Sequence, residues 1–453
     1  METGRFTYEI RTMGCKANVY DSLVLERELE ELGGRRAVEG TTADLFLLNS
    51  CTVTASADRE ALNTMKRVKE RAPQSVTVMT GCLAQVAPDR VREQGSDLVV
   101  TNFEKPRLKA MVAERLGLAP MALDRGAGLT VDGADLEVFW GQLPSSSMGH
   151  TRAFLKIQEG CNDYCTYCII PYARGKSRSV ALGDVLSEVK RLVTTGVREV
   201  VLTGTNIADY GLDRGLSFDD LVEAILQRTA IERLRLSSLD PTEISDRLLA
   251  VMAQDGGRLM PHLHVSLQSP VSRVLRAMKR QYSQGEIISC LEKIHGTSAN
   301  IFVGMDIIAG FPSETEEEHR EGLALLERLP WARLHVFPYS ERQGTPAIRI
   351  KGSVPQAVRK KRAQELMALS TRRHERFASA YIGQIVDGAL LESPHESMDG
   401  VFVPGHLPNY VRVLVRADSG EHARSLTNTV RKLRIHAAVP KPAQDWTLEA
   451  QLC

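Results

Sequence analysis

The sequence predicts an α/β chain in three parts: an amino-terminal parallel α/β domain, a partial (β/α)6 barrel and a small carboxyl-terminal β-barrel. Three observations carry that reading. Over residues 5–117 short apolar runs alternate with amphipathic stretches. Over residues 148–377 a longer alternation contains six strand-like runs, and from residue 378 onward short apolar runs are broken by Gly, Pro, Asn and Asp. Strands alternating with helices argue for a parallel sheet with helices on its faces, and short strands with turn signals argue for a barrel.

In the first part FTYEI, from Phe6, reads as a strand, and Tyr20 to Leu32 as a helix stopped by Gly33-Gly34. DLFLLN (from Asp44) and SVTVMT (from Ser75) read as two further strands, with helices from Ser56 to Arg71 and from Lys105 to Leu116. Residues 118–147 lose the pattern and suit a linker with one hairpin. The barrel strands are expected at AFLKIQ (Ala153), EVVLT (Glu199), RLRLS (Arg233), HLHVS (His262), FVGMDII (Phe302) and RLHVFPY (Arg333). Six βα units are too few to close an eight-stranded barrel, so the barrel is partial, with its site at the strand carboxyl ends. A helix is expected from Pro355 to Tyr381. QIVDGALLE, GVFVP, YVRVLVRA, SLTNTV and KLRIHAA then read as the strands of a β module at residues 378–446.

Composition bounds the function. With 43% apolar and 25% charged residues the chain is neither disordered nor fibrous. No apolar run approaches the roughly 18 residues of a membrane span, and METGRFTYEIR lacks the apolar core of a secretory signal, so a cytoplasmic protein without a membrane partner is expected. Lys and Arg number 57 against 56 Asp and Glu, a net charge of +1, so any nucleic-acid surface must be local.

Eight cysteines in such a chain read as thiolate ligands or core residues rather than disulfides. Cys161-x-x-x-Cys165-x-x-Cys168 is the sharpest signal. A structural zinc site wants four ligands, and the nearest further candidate, His150, lies eleven residues before Cys161 in the linker. Three thiolates suit a 4Fe–4S cluster with one iron open to substrate. Cys15, Cys51 and Cys82 each follow a predicted strand, so parallel pairing would bring them to one sheet edge. The other reading is three unrelated buried cysteines. Cys290 reads as core, and Cys453, the last residue, has no assigned role.

The CNDYCTYC run resembles the radical S-adenosylmethionine superfamily. TMGCKANVYDS, NSCTVTASADR and TGCLAQ, around Cys15, Cys51 and Cys82, resemble the amino-terminal domain of its methylthiotransferases. The resemblance implies two 4Fe–4S clusters: an auxiliary one on Cys15, Cys51 and Cys82, and one on Cys161, Cys165 and Cys168 whose open iron binds S-adenosylmethionine. It implies two S-adenosylmethionine molecules per turnover, one methylating a cluster-bound sulfur and one giving the 5′-deoxyadenosyl radical. Tyr167 would back the adenine. LTGTNIADYG supplies Thr203, Gly204, Thr205 and Asn206, LSSLDPTEI supplies Ser237 and Ser238, and the run from His262 supplies Gln268 and Arg280 as cofactor contacts. The family usually has Gly where this chain has Pro270 and Ser313, positions where glycine permits φ > 0. GALLE and PGHLPNYVRV resemble the RNA-binding, OB-like TRAM domain.

The family modifies adenosine beside the tRNA anticodon or an aspartate of a ribosomal protein. GCKAN, CTVT and HVFPYSERQGTPA resemble the threonylcarbamoyladenosine branch, so the expected reaction is methylthiolation at C2 of that nucleoside in tRNA. The alternatives are isopentenyladenosine in tRNA, the ribosomal-protein aspartate, or a non-enzymatic RNA-binding iron–sulfur sensor. The partners expected are tRNA and a flavodoxin- or ferredoxin-like reductant, with no DNA. From Arg349 to Arg376 nine Lys and Arg face only Glu365 and Glu375. Lys360, Lys361 and Arg362 are therefore expected at phosphates, with Tyr410 stacking on a base and Arg412 and Arg416 assisting.

Overall fold

The computed structural model describes residues 5–118, 138–143, 151–254, 257–397, 400–441 and 445–453. The hairpin expected within 118–147 and His150 fall largely outside them. The amino-terminal domain is a sheet of β1 (Phe6–Thr12), β2 (Gly34–Arg36), β3 (Leu45–Ser50), β4 (Val76–Gly81) and β5 (Leu98–Val99), ordered β2-β1-β3-β4-β5. Every pairing is parallel. β3 and β4 are buried along their whole length, which is why both are near-continuous apolar runs rather than alternating ones. Helices α1 (Lys16–Glu31) and α2 (Ala55–Arg71) follow β1 and β3, and α3 (Cys82–Val86) follows β4.

The three longer strands stand where the apolar pattern predicts them. β2, α3 and β5 were not foreseen, because three to five residues are too few to show a period. The Gly33-Gly34 helix stop leads directly into the strand Gly34–Arg36. It runs on as an edge strand, its Gly34 packed so closely on Phe6 that a Cβ would lie 2.7 Å from the ring.

The barrel has β6 (Arg152–Lys156), β7 (Glu199–Thr203), β8 (Arg233–Leu236), β9 (Ser238–Leu239), β10 (His262–Gln268), β11 (Phe302–Ala309) and β12 (Arg333–Pro338). They form two parallel arcs, β8-β7-β6 and β9-β10-β11-β12, joined by the unbroken chain from β8 into β9 and a bridge from Leu234 to Leu259. All six expected strands are present, the third being split at Ser237. The amino-terminal domain and the barrel share one apolar core, in which Tyr20, Val24 and Leu25 of α1 meet Leu155 and Ile157. Part of the expected linker belongs to that packing: Trp140 stacks on Tyr20 at 5.6 Å, and the Tyr20 hydroxyl donates to the Gly141 carbonyl at 2.8 Å.

Helix Gln356–Ser379 follows the barrel and carries Leu366 and Leu369 into its core. The carboxyl-terminal module has β13 (Ile385–Leu391), β14 (His395–Ser397), β15 (Gly400–His406), β16 (Arg412–Ala417), β17 (Val430–Lys441) and β18 (Asp445–Leu452). β13 pairs with both β17 and β15, which closes the sheet into a small barrel. SLTNTV is not a strand. Ser419 accepts from the His422 amide and caps a helix, Gly420–Leu426, which ends inside that run. β18 went unread in the sequence. The module core takes in Phe302 of β11 and Ala332, just before β12.

Candidate functional site

Cys15, Cys51 and Cys82 follow β1, β3 and β4, three adjacent parallel strands, and therefore sit along one edge of the sheet. Gly14 has φ +94°, and a Cβ there would lie 2.8 Å from the Cys51 sulfur, so only glycine lets the first turn approach the second this closely. Asn102 Nδ2 lies 3.8 Å from the Cys82 sulfur and 2.8 Å from the Ala173 carbonyl, tying this edge to the barrel.

Cys161, Cys165 and Cys168 occupy the single loop that follows β6 and the short strand Gln158–Glu159. Gly160 (φ +81°) starts it: a Cβ would fall 1.9 Å from the Lys176 carbonyl oxygen. The loop runs straight into the short helix Ile170–Arg174, which packs on α3, so the two triads are neighbours through that helix.

All eight cysteines are free thiols, and Cys290 is buried in the core as expected. Burial pushes the Cys51 thiol up to about 11 and Cys168 up to about 12, and it raises Cys161 and Cys165 as well. Burial does the same to the core thiol Cys290, so the rise marks desolvation, and the grouping of the sulfurs in threes marks the site. Among the described residues no group of three His, Cys, Asp or Glu is drawn tightly enough to hold a metal ion. Two sets of three soft sulfur donors, backed by glycine turns that leave room beside them, fit an iron–sulfur cluster in each place.

A cavity of about 770 Å³ opens beside Cys15, between the strand-end triad and the barrel strands. Cys15 and Arg174 line one end, Thr203, Gly204 and Thr205 the strand carboxyl ends, and His262 and Tyr410 the floor. Gln158 Oε1 accepts from the Thr205 and Asn206 amides at 3.0 Å each, and Asn206 Nδ2 donates to Glu243 at 3.2 Å, so this loop is held open in a fixed shape. The Thr205 hydroxyl is buried without a partner among the described residues. Ser237 and Ser238 also line the cavity. Ser238 Oγ lies 2.8 Å from His264 Nδ1, whose Nε2 is 3.3 Å from Asp306.

Tyr167 packs edge-on against Phe311 with centroids 6.3 Å apart. Gln268 holds φ +57° at the end of β10. Arg280 donates to the Cys165 sulfur at 3.3 Å and pairs with Asp240, so its guanidinium is aimed at a cysteine of the loop.

Sequence reading missed a buried charge network beneath the triads. Asp21 meets Lys105 at 2.6 Å, Lys156 at 2.5 Å and Arg174 at 3.1 Å, and Arg174 also meets Glu159 at 2.5 Å. None of the five is more than 4% exposed. Burial alone would raise the Asp21 pKa, but the three cations overcome it and hold the carboxyl well below its usual range. Three cations against two carboxylates leave positive charge beside Cys15. No motif announces this, since the partners are scattered from α1 to the helix after Cys168.

Two expectations about RNA contacts are corrected. Arg362 is buried, bonded to Glu314 at 2.7 Å and Glu316 at 3.3 Å, and is not available to phosphate; Arg359 and Arg373 are also turned inward. Lys360 and Lys361 are exposed, Lys361 lying 3.8 Å from Glu365. The Tyr410 ring is not an open stacking platform. Arg152 donates to its hydroxyl at 2.8 Å, Arg235 lies 4.6 Å from its centroid, and His262 and His406 pack at 4.9 and 4.7 Å. Arg412 and Arg416 are exposed on β16, with Arg412 at the cavity rim.

Comparison with known proteins agrees with this layout. Residues 7–101 match the uncharacterized protein family UPF0004, and residues 155–326 match the radical SAM superfamily. The chain is 35% identical over 409 residues to a threonylcarbamoyladenosine tRNA methylthiotransferase of Rickettsia prowazekii, covering 89% of this chain and 92% of that protein. It is 34% identical to the enzyme of that name from Aquifex aeolicus, over 84% of this chain and 92% of that one. A tRNA-2-methylthio-N(6)-dimethylallyladenosine synthase of Thermobifida fusca is 35% identical over 85% of this chain and 78% of its own length. In fold, the chain is similar to the radical S-adenosylmethionine methyltransferase TsrM from Kitasatospora setae, with TM-score 0.52 and 16% identity over 76% of this chain and 77% of that one. With two sequence domains matched in order and relatives aligned along nearly its whole length, the chain belongs to the radical S-adenosylmethionine methylthiotransferase family.

Proposed function

We propose that this chain is a tRNA methylthiotransferase that places a methylthio group on C2 of threonylcarbamoyladenosine. The observation that carries the reading is the full-length likeness to relatives named for that reaction, among them proteins of Rickettsia prowazekii, Aquifex aeolicus and Bacillus subtilis at 32–35% identity. The dimethylallyladenosine synthases are similar at 35% identity and give the second reading.

Cys161, Cys165 and Cys168 would hold one 4Fe–4S cluster and Cys15, Cys51 and Cys82 the other. When bound, the first supplies the electron that releases a 5′-deoxyadenosyl radical from S-adenosylmethionine, a route suited to a C2–H bond that acid–base chemistry does not activate. The chain's residues bind and orient around that chemistry. The Thr203–Asn206 loop, braced by Gln158 and Glu243, presents the unpaired Thr205 hydroxyl to the cofactor. Arg280 steadies the Cys165 thiolate, and the cations around Asp21 balance charge at Cys15. Two S-adenosylmethionine molecules per turnover and a flavodoxin- or ferredoxin-like reductant belong to the proposal. So do the domain limits 5–117, 148–377 and 378–446 and a TRAM-like RNA role for the module, to which Lys360, Lys361, Arg412 and Arg416 would add phosphate contacts. Among the described residues no helix is long and apolar enough to cross a membrane.

The test is anaerobic reconstitution with iron and sulfide, followed by incubation with S-adenosylmethionine, a reductant and tRNA carrying threonylcarbamoyladenosine. Mass spectrometry of the nucleosides should find the 2-methylthio product, and 5′-deoxyadenosine should accumulate with it. Product only from dimethylallyladenosine tRNA would overturn the substrate in favour of the second reading.

A further inference from the structure

Two large apolar side chains stand exposed at the opening of the cavity, outside the cores that hold the fold. Phe337 is 47% exposed and Val53 is 53% exposed, and neither joins a hydrophobic core among the described residues. Both nevertheless line the cavity, together with Ile170. A side chain that is half open to solvent and also lines a cavity stands at its mouth. Strand parity agrees. Arg333, His335 and Phe337 alternate along β12 and all line the cavity. Phe337 is the last of them, near the carboxyl end of the strand, where such barrels keep their sites. Val53 lies two residues beyond Cys51 and Ile170 two beyond Cys168, so this rim is built next to both triads.

The rim is held in place. Arg342 donates to Thr52 Oγ1 at 2.5 Å and Asp58 Oδ2 at 2.8 Å, and the Ala55 amide donates to Ser340 Oγ at 3.3 Å. These bonds clamp the segment that carries Val53 to the one that follows Phe337. Phe302, Phe311 and Phe377 each pack against other rings, whereas the Phe337 ring meets no other ring among the described residues. Apolar residues scattered singly over a surface are ordinary, but a fixed apolar rim around a cavity marks a binding surface.

The reaction says what meets that rim. On the RNA reading above, one adenine must leave its stack so that C2 enters the cavity beside Cys15. Its departure uncovers one face of a neighbouring base in the loop. Lys16 lines the same cavity and forms no salt bridge among the described residues, and Arg412 is exposed at the rim, which suits the phosphates that join such nucleotides. We propose that Phe337 is the platform on which a nucleobase next to the modified adenosine stacks, with Val53 completing the apolar rim. The platform replaces the stacking lost when the adenine enters. The inference rests on the RNA reading and assigns it a surface, and it holds for either modified adenosine.

The test uses the full-length reconstituted protein and anticodon stem-loop RNAs carrying the modified adenosine that the enzyme accepts. The nucleotide on one side or the other is made abasic. Wild type should bind the intact RNA about five- to a hundredfold more tightly than one of the two abasic RNAs, the scale of one base stacked on an aromatic ring. Phe337→Ala should lose the same factor with the intact RNA and nothing more with that abasic RNA, because both changes remove one contact. Phe337→Trp keeps a ring face and should bind the intact RNA within twofold of wild type. Unchanged iron content in both variants shows that the fold and triads are intact. If the two losses multiply instead of coinciding, or Phe337→Ala binds the intact RNA as tightly as wild type, the platform is wrong and the RNA reading stands. If Phe337→Ala keeps its RNA affinity but turns over slowly with a protein reductant and normally with a chemical one, the rim docks the reductant and the proposal is overturned. If wild type binds no RNA, the RNA reading falls and the platform with it.

Discussion

The two cysteine triads are assembled by opposite constructions. Cys161, Cys165 and Cys168 come from one loop, so their proximity is guaranteed by covalent spacing and survives small shifts of the barrel. Cys15, Cys51 and Cys82 come from three strands, and their proximity depends on the parallel register of β1, β3 and β4. The guanidiniums beside them differ in the same way. Arg280 touches a cysteine directly and pairs with a partly exposed Asp240. Arg174 acts through a fully buried network that spans two domains. A local site can be read and broken locally, whereas a distributed site fails with the fold that assembles it.

The largest contrast should come from the cysteines themselves. Cys161→Ala, Cys165→Ala or Cys168→Ala should abolish 5′-deoxyadenosine release and lower iron from about eight to about four per chain, on four irons per triad. Cys51→Ala should remove as much iron yet keep S-adenosylmethionine cleavage. Full iron in the Cys51 variant would end the two-cluster comparison. Next is Arg174→Gln. Removing one partner of a buried ion network leaves uncompensated charge, so urea unfolding should show a loss of about 3–5 kcal/mol. Arg280→Gln should cost visibly less stability while impairing cleavage more.

The amino-terminal sheet should also carry an acid-sensitive point in Asp97. Burial would raise its pKa, but Lys69 at 2.6 Å and the Thr77 amide and hydroxyl bring it down from 3.8 to about 2. A depressed carboxylate stabilises the fold above its unfolded pKa, and that gain is lost as pH falls from about 4 to 2. Asp97→Asn should therefore unfold more easily at pH 6, by less than about 2 kcal/mol once solvent screening is counted, and nearly equally at pH 2, by circular dichroism. Lys360→Gln with Lys361→Gln should lower the slope of log K against log salt for tRNA by roughly 0.7–0.9 per lost phosphate contact. Arg362→Gln should instead lower stability, since its partners are Glu314 and Glu316. The smallest effect belongs to Ser313, which holds φ +69° where the family has glycine. Ser313→Gly should raise the melting free energy by less than about 1 kcal/mol, limited by the lost Arg273 contact to its hydroxyl.

Legibility followed the range of the interactions. The barrel strands, the long helices and the loop triad are local patterns, and each stood where its period or spacing placed it. The strand-end triad needed the fold class first, and then followed from it. Arg342 was invisible: its partners Thr52 and Asp58 lie 290 and 284 residues away, at 2.5 and 2.8 Å. The basic stretch misled because charge counts do not say which way a helix turns. Arg359 and Arg362 fall on the same face as the apolar Ala363 and Leu366, so burial took them. Tyr410 misled for a related reason, its left-handed φ of +75° turning the ring toward Arg152 and Arg235.

That ring has a further consequence. Tyr410, clasped by Arg152, Arg235 and His262, lines the cavity from the module side, and Asn409 donates to the Asn300 carbonyl at 3.1 Å. Deleting the module would therefore change the barrel as well. It would uncork the lumen, letting bulk solvent and oxygen in where a carbon radical must outlive its own formation. A truncated enzyme should accordingly leak: it would consume S-adenosylmethionine without modifying tRNA, and bleach its iron colour faster in air than the intact chain.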